Sequence, residues 1–212
     1  MPVDVGVALV GAKRENVNPL GTYLLAHRLS HAVYDPLQTD VLPDREWPVE
    51  DDRNPTARKP LGLEYAEFVT REVLPFVARN YPVARGASNA GFGGSSYGAI
   101  AALNTVLVKP GVFGRLLLES PSLYVGKEYL LRRARTARRW PARVYLGVGT
   151  RETSRPDWNE ETVGNVLKLE AMLRKARLGA RRLRTVVEEG ASHSEGAWAA
   201  RLSAALTFLY GK

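Results

Sequence analysis

Ser96 stands at the centre of Gly94-Ser95-Ser96-Tyr97-Gly98, a G-x-S-x-G spelling. Its chemistry is that of an exposed nucleophile. A strand turns sharply into a helix and holds the serine strained, with its hydroxyl outward. Glycines two before and two after let the backbone pass close to itself. The small residues Ala99, Ala101 and Ala102 let the new helix lie tight on a sheet. The helix N-terminus then aims backbone N–H groups, that of Tyr97 first, at a developing oxyanion. In a chain with 19 glycines the spelling is common by chance, so its weight rests on its companions.

Two companions stand after late apolar runs. Glu152 follows Val144–Val148 (VYLGV), with Asp157 five residues on, and His193 follows Leu183–Val187 (LRTVV). In a parallel sheet, reacting groups collect in loops at the carboxyl ends of strands. The chain order is therefore serine, acid, histidine. His193 would take the proton from Ser96, and an ionised acid would fix the imidazole tautomer and stabilise its charged form. Glu152 is the preferred acid and Asp157 the alternative. Ser95 sits before the centre of the turn and reads as a local hydrogen-bonding residue.

Hydrophobic periodicity supplies the elements that must position these groups. Val3–Val10 is an apolar, β-branched run that reads as a buried parallel strand. Asn18–Ala32 reads as a helix in which His27 and His31 share a face, a metal-compatible spacing without an acidic third ligand; two ordinary histidines are expected there. Asp35–Pro60, with five prolines and Trp47, reads as a long loop that could wall a substrate site. Leu63–Ala78 is an amphipathic helix, with Pro75 expected to kink or tighten its last turns. Beyond residue 89, strands and helices alternate: the Ser96 helix to Val108, strand Arg115–Glu119, a helix with Tyr129, Leu130 and Leu131, and a helix over Glu160–Leu178. A last helix, Gly196–Leu209, carries Trp198, Leu202, Leu206 and Leu209. That alternation predicts a mostly parallel α/β sheet.

Composition narrows the partners. A length of 212 residues suits a single domain over 1–212. There are no cysteines, which excludes thiolate metal sites and a cysteine nucleophile. No apolar run reaches the ~20 residues of a membrane span, and Met1–Ala12, with Asp4 and no basic start, makes a poor signal peptide. A cytoplasmic protein without metal or cofactor is expected. The formal charge of +8 gathers in two clusters, Arg132, Arg133, Arg135, Arg138 and Arg139, then Arg174, Lys175, Arg177, Arg181, Arg182 and Arg184. No aromatics interleave for base stacking, so these read as solvated helix faces rather than a nucleic-acid surface.

Taken together, the segments EYAEFVTREVLPFVARNYPV, GFGGSSYGAIAALNTVLVKPGVFGRLLLESPSLY, ARVYLGVGTRE and GASHSEGAWAARLSAALTFLY resemble the Putative esterase family of α/β-hydrolases. This enterochelin-esterase-like group includes S-formylglutathione hydrolases, feruloyl esterases and mycolyltransferases. The resemblance covers roughly residues 63–210. It implies an α/β-hydrolase fold and hydrolysis of a small-molecule carboxylic ester, with Ser96 as nucleophile, His193 as base and Glu152 as acid. Members of the family place more strands before the elbow, one of them lending a second oxyanion N–H. A start with fewer N-terminal strands is therefore expected, with Val3–Val10 similar to a later strand and Arg14 to the arginine that follows it. The sheet edge so exposed would be a pairing hazard that a homodimer relieves. The alternative makes VDVGVALVGA the oxyanion strand, with Gly11-Ala12 as donor loop. Two other functions stay open: a binding module of low activity lacking a full oxyanion hole, and an acyltransferase.

Overall fold

The strand that delivers Ser96 has a hydrogen-bonded neighbour on each side. The structure, a computed structural model, describes residues 6–10 by their backbone and residues 62–211 in full. The strands are β1 (Gly6–Val10), β2 (Ala90–Ser95), β3 (Arg115–Glu119), β4 (Arg143–Arg151) and β5 (Leu183–Ser192). They form one sheet in sequential order, with β2 to β5 parallel. The helices are α1 (Gly62–Phe68), α2 (Leu74–Asn80), α3 (Ser96–Val108), α4 (Val125–Ala134), α5 (Pro156–Lys175) and α6 (Glu195–Tyr210). The expected alternation beyond residue 89 is present.

Period-two alternation sorts the strands' side chains between two layers. Leu116, Leu118, Val144, Leu146 and Val148 pack against α3, α4 and α5 in the larger core. Leu117 and Tyr145 point the other way, onto Ala205 and Leu209 of α6. The buried face of α6 is Trp198, Arg201, Ala205 and Leu209. Leu202 and Leu206 flank it, half-buried, and an arginine takes the place of an apolar residue.

Three expectations are corrected. Strand β1 runs antiparallel to β2, pairing Gly6 with Gly94 and Val10 with Ala90. A strand apolar on both faces reads the same in either direction, so its spelling carries no orientation. The alternative donor loop, Gly11-Ala12, lies outside the described residues; β1 itself ends beside Ala90, at the end of β2 away from Ser96. Second, the helix widens ahead of Pro75 rather than tightening. A π-helical turn, Val69–Val73, separates α1 from α2. Pro75 has no N–H to donate and its ring would meet the carbonyl of Arg71, so a widened turn just ahead accommodates it. Third, α5 begins at Pro156, four residues before the expected Glu160, with proline in the first helical turn. The calls on His27, His31, Trp47, Arg14 and the 35–60 loop lie outside the described residues.

One arginine of the second cluster is tied to the chain leading into β4. Arg182 Nε and Nη2 donate to the carbonyls of Ala142 and Pro141 at 3.1 and 3.2 Å. No helix among the described residues is long and apolar enough to cross a membrane.

Gly94 shows how tightly the elbow is built. A Cβ placed there would lie 2.6 Å from the carbonyl carbon of Gly98, forcing β2 and α3 apart. We expect Gly94→Ala to destabilise the protein by about 1–3 kcal/mol through overpacking, read as a lower urea midpoint at unchanged slope. An unchanged midpoint would show that the turn can spread.

Candidate active site

Ser96 begins α3 directly after the last residue of β2, with φ of 54°. A non-glycine residue in the left-handed region is strained, and such strain persists only where the surroundings over-determine it. Here the packing of β2 against α3 does so. Ser96 is 6% exposed, not outward as the spelling predicts, and its Oγ meets Ser122 Oγ at 3.4 Å in a buried contact. Ser95 is the extended residue before the helix and makes no side-chain cap.

The sheet register brings the other groups to the same edge. Ser95 pairs with Glu119, and Glu119 with Gly147, so β2 and β3 end together and β4 runs four residues further. On β5 an irregularity intervenes: Gly149 pairs with Glu188 but Arg151 with Ser192. Two extra residues on β5 are absorbed around Gly190, at φ 75°, whose N–H donates to Thr150 Oγ1 at 2.8 Å. The bulge makes Glu152 and His193 the next residues on paired strands. Without it, His193 would stand two residues further along.

His193 Nδ1 and Glu152 Oε2 are 2.6 Å apart. The other carboxylate oxygen, Oε1, accepts from Ser120 Oγ at 2.7 Å and from the Gly149 N–H at 2.5 Å. Burial would raise the Glu152 carboxyl, but hydrogen bonds from His193, Ser120 and Gly149 hold it below the usual carboxylate range. An ionised carboxylate only accepts, so the proton between the two residues sits on His193 Nδ1. In the neutral imidazole Nε2 then carries the lone pair. Asp157, by contrast, is exposed on the first turn of α5 and pairs with Arg155 at 2.6 Å. Of the two candidate carboxylates, only Glu152 reaches His193.

Several residues around this pair had no assigned part in the spelling. Ser120 is almost fully buried at φ 43° and accepts a hydrogen bond from Trp198 Nε1 at 2.9 Å. The Trp198 ring stands edge-on to the His193 ring, centroids 5.0 Å apart at 86°. Behind them, Arg201 Nε donates to Glu119 Oε2 at 2.8 Å and Nη1 to Glu188 Oε2 at 2.5 Å. Burial pushes the Glu119 carboxyl up to about 7 against the pull of that guanidinium. Gly147 leaves the space that the Glu119 carboxylate fills. The Ser-Pro-Ser after β3 was the available signal for Ser120 and Ser122, since it marks a strand end beside the elbow.

The family model described as Putative esterase matches residues 36–209, most of the chain. The chain belongs to that family. Among curated proteins, this esterase-family chain is 22% identical to the uncharacterized protein YbbA of Bacillus subtilis, over 72% of its own length and 61% of YbbA's. Among solved structures it resembles the siderophore hydrolase EstA of Aspergillus nidulans, with a TM-score of 0.63 and 22% identity, covering 84% of this chain and 67% of that one. The enterobactin esterase FES of Shigella flexneri gives a TM-score of 0.59 at 22% identity, covering 76% and 42%. These likenesses show the α/β-hydrolase fold. The chain spans about three-fifths of the length of YbbA.

Proposed function

We propose that this member of the family hydrolyses carboxylic esters through an acyl-enzyme on Ser96, with His193 as general base and Glu152 as its orienting acid. The observation that carries the reading is the His193–Glu152 hydrogen bond, on the sheet edge where Ser96 sits in a left-handed turn. As an ester arrives, the Ser96 hydroxyl turns from Ser122 to His193 Nε2; such contacts tighten in the substrate complex. Ser96 Oγ bonds to the ester carbonyl carbon while its proton passes to Nε2. The Tyr97 N–H, at the start of α3, is the proposed donor to the oxyanion. Collapse breaks the bond to the leaving alcohol, which takes the proton from His193. Water then attacks the acyl-enzyme by the same route in reverse, restoring Ser96.

The substrates suggested for first trial come from the neighbours' names: EstA is a siderophore hydrolase and FES an enterobactin esterase. The test of the mechanism is labelling with a fluorophosphonate followed by peptide mapping, alongside hydrolysis of p-nitrophenyl acetate. The label should sit on Ser96, with loss of turnover in proportion to labelling. Label elsewhere, or full turnover by fully labelled protein, would overturn the reading.

A further inference from the structure

The acid of the proposed triad is gripped by a chain of hydrogen bonds that crosses three elements. Trp198 Nε1 on α6 donates to Ser120 Oγ at 2.9 Å, and Ser120 Oγ donates to Glu152 Oε1 at 2.7 Å. The direction of each link is fixed by chemistry. An indole N–H can only donate, an ionised carboxylate can only accept, and a serine hydroxyl has one proton to give. Trp198 occupies a lone pair of Ser120, and the hydroxyl proton goes to Glu152. The chain therefore runs Trp198 to Ser120 to Glu152, and it meets His193 arriving from the opposite side of the carboxylate.

Ser120 is held for this task by more than its side chain. It sits at φ 43° with 1% exposure, and its N–H donates to the Gly147 carbonyl at 2.7 Å. A serine in the left-handed region costs free energy that a glycine would avoid. Trp198 serves at both ends, since its N–H reaches Ser120 while its ring stands edge-on to His193. The four side chains close a ring: Glu152, His193, Trp198 and Ser120.

We infer that Ser120 and Trp198 are positioning residues of the proposed ester hydrolysis, fixing the rotation of the Glu152 carboxylate so that Oε2 faces His193 Nδ1. The inference rests on the Ser96 reading above, and it makes a separate demand. Trp198 acts on Glu152 only through the Ser120 hydroxyl.

Three variants and one double variant test it. Ser120→Ala and Ser120→Gly both delete the hydroxyl, and the glycine also relieves the backbone strain. Trp198→Phe keeps a ring beside His193 and deletes only the N–H donor. Expected for the Ser120 variants is a fall in kcat of about 10–100-fold, the span that losing one hydrogen bond to a charged group covers. For Trp198→Phe, which deletes a bond between neutral groups, the expected fall is about 2–10-fold, with KM unchanged throughout. Ser120→Gly should be more stable than Ser120→Ala yet no more active. Trp198→Phe should cost nothing further in the Ser120→Ala background, because its route is already cut. The low-field proton signal of the His193 Nδ1–H bond to Glu152 should weaken in every variant. Activity that follows stability across the set, additive losses in the double variant, or a low-field signal unchanged in Ser120→Ala would each overturn the inference. The proton signal needs no turnover, so it judges this inference even if labelling shows that Ser96 is not the nucleophile.

Discussion

Ser96→Ala is expected to lower kcat toward p-nitrophenyl acetate by about 10⁵–10⁶-fold, the loss typical of deleting the nucleophile of a serine triad, and to leave the fold intact. The two halves of that expectation have different causes. The activity loss follows from removing the atom proposed to form the acyl bond. The intact fold follows from how little else the hydroxyl does. Its hydrogen-bond contact is Ser122 Oγ at 3.4 Å, a long and weak one. The strain at φ 54° belongs to the backbone and is kept by alanine. It is relieved by glycine. Ser96→Gly should therefore be as inactive as Ser96→Ala and more stable, shown by a higher urea midpoint. Residual turnover within tenfold of the parent would mean that another residue carries the acyl group.

What could be read from the sequence was what the backbone demands locally. The elbow is legible because strain at Ser96 and the close approach at Gly94 are spelled in residue types within five positions. The strict alternation of elements beyond residue 89 carried the parallel sheet. His193 was legible because it follows a late strand, although the bulge at Gly190 that aligns it with Glu152 was not. Long-range side-chain bonds leave no such trace. Ser120 and Trp198 are 78 residues apart in the chain and meet only in the fold. Glu152 and Asp157 are chemically alike and differ only in what folding places beside them, His193 for one and Arg155 for the other. The role of the buried Arg201 is hidden in the sequence for the same reason. An arginine on an apolar helix face has meaning only once Glu119 and Glu188 are opposite it.

Glu152→Gln should lower kcat by about 10⁴-fold, as does the loss of an orienting carboxylate in other serine triads, and the geometry says why an isosteric change is so costly. Two donors, the Ser120 hydroxyl and the Gly149 N–H, converge on Oε1. In glutamine that position must hold the amide oxygen, since an NH₂ there would face two donors. The NH₂ is then forced to the Oε2 position, opposite His193 Nδ1. Nδ1 must become the acceptor, the imidazole proton moves to Nε2, and the lone pair needed to take the Ser96 proton is gone. Nitrogen-15 chemical shifts of His193 should report the switched tautomer directly. The stability of the variant carries a second signature. Burial would raise the Glu152 carboxyl, but its three hydrogen bonds hold it below the ordinary range, so the charged form stabilises the folded state. That contribution is present above the unfolded carboxyl's pKa and is lost as pH falls through the lower folded value. Glu152→Gln should thus be less stable than the parent at pH 7, with the gap closing in acid. A variant with normal kcat, or a stability gap that widens as pH falls, would mean that Glu152 is not the ionised partner of His193.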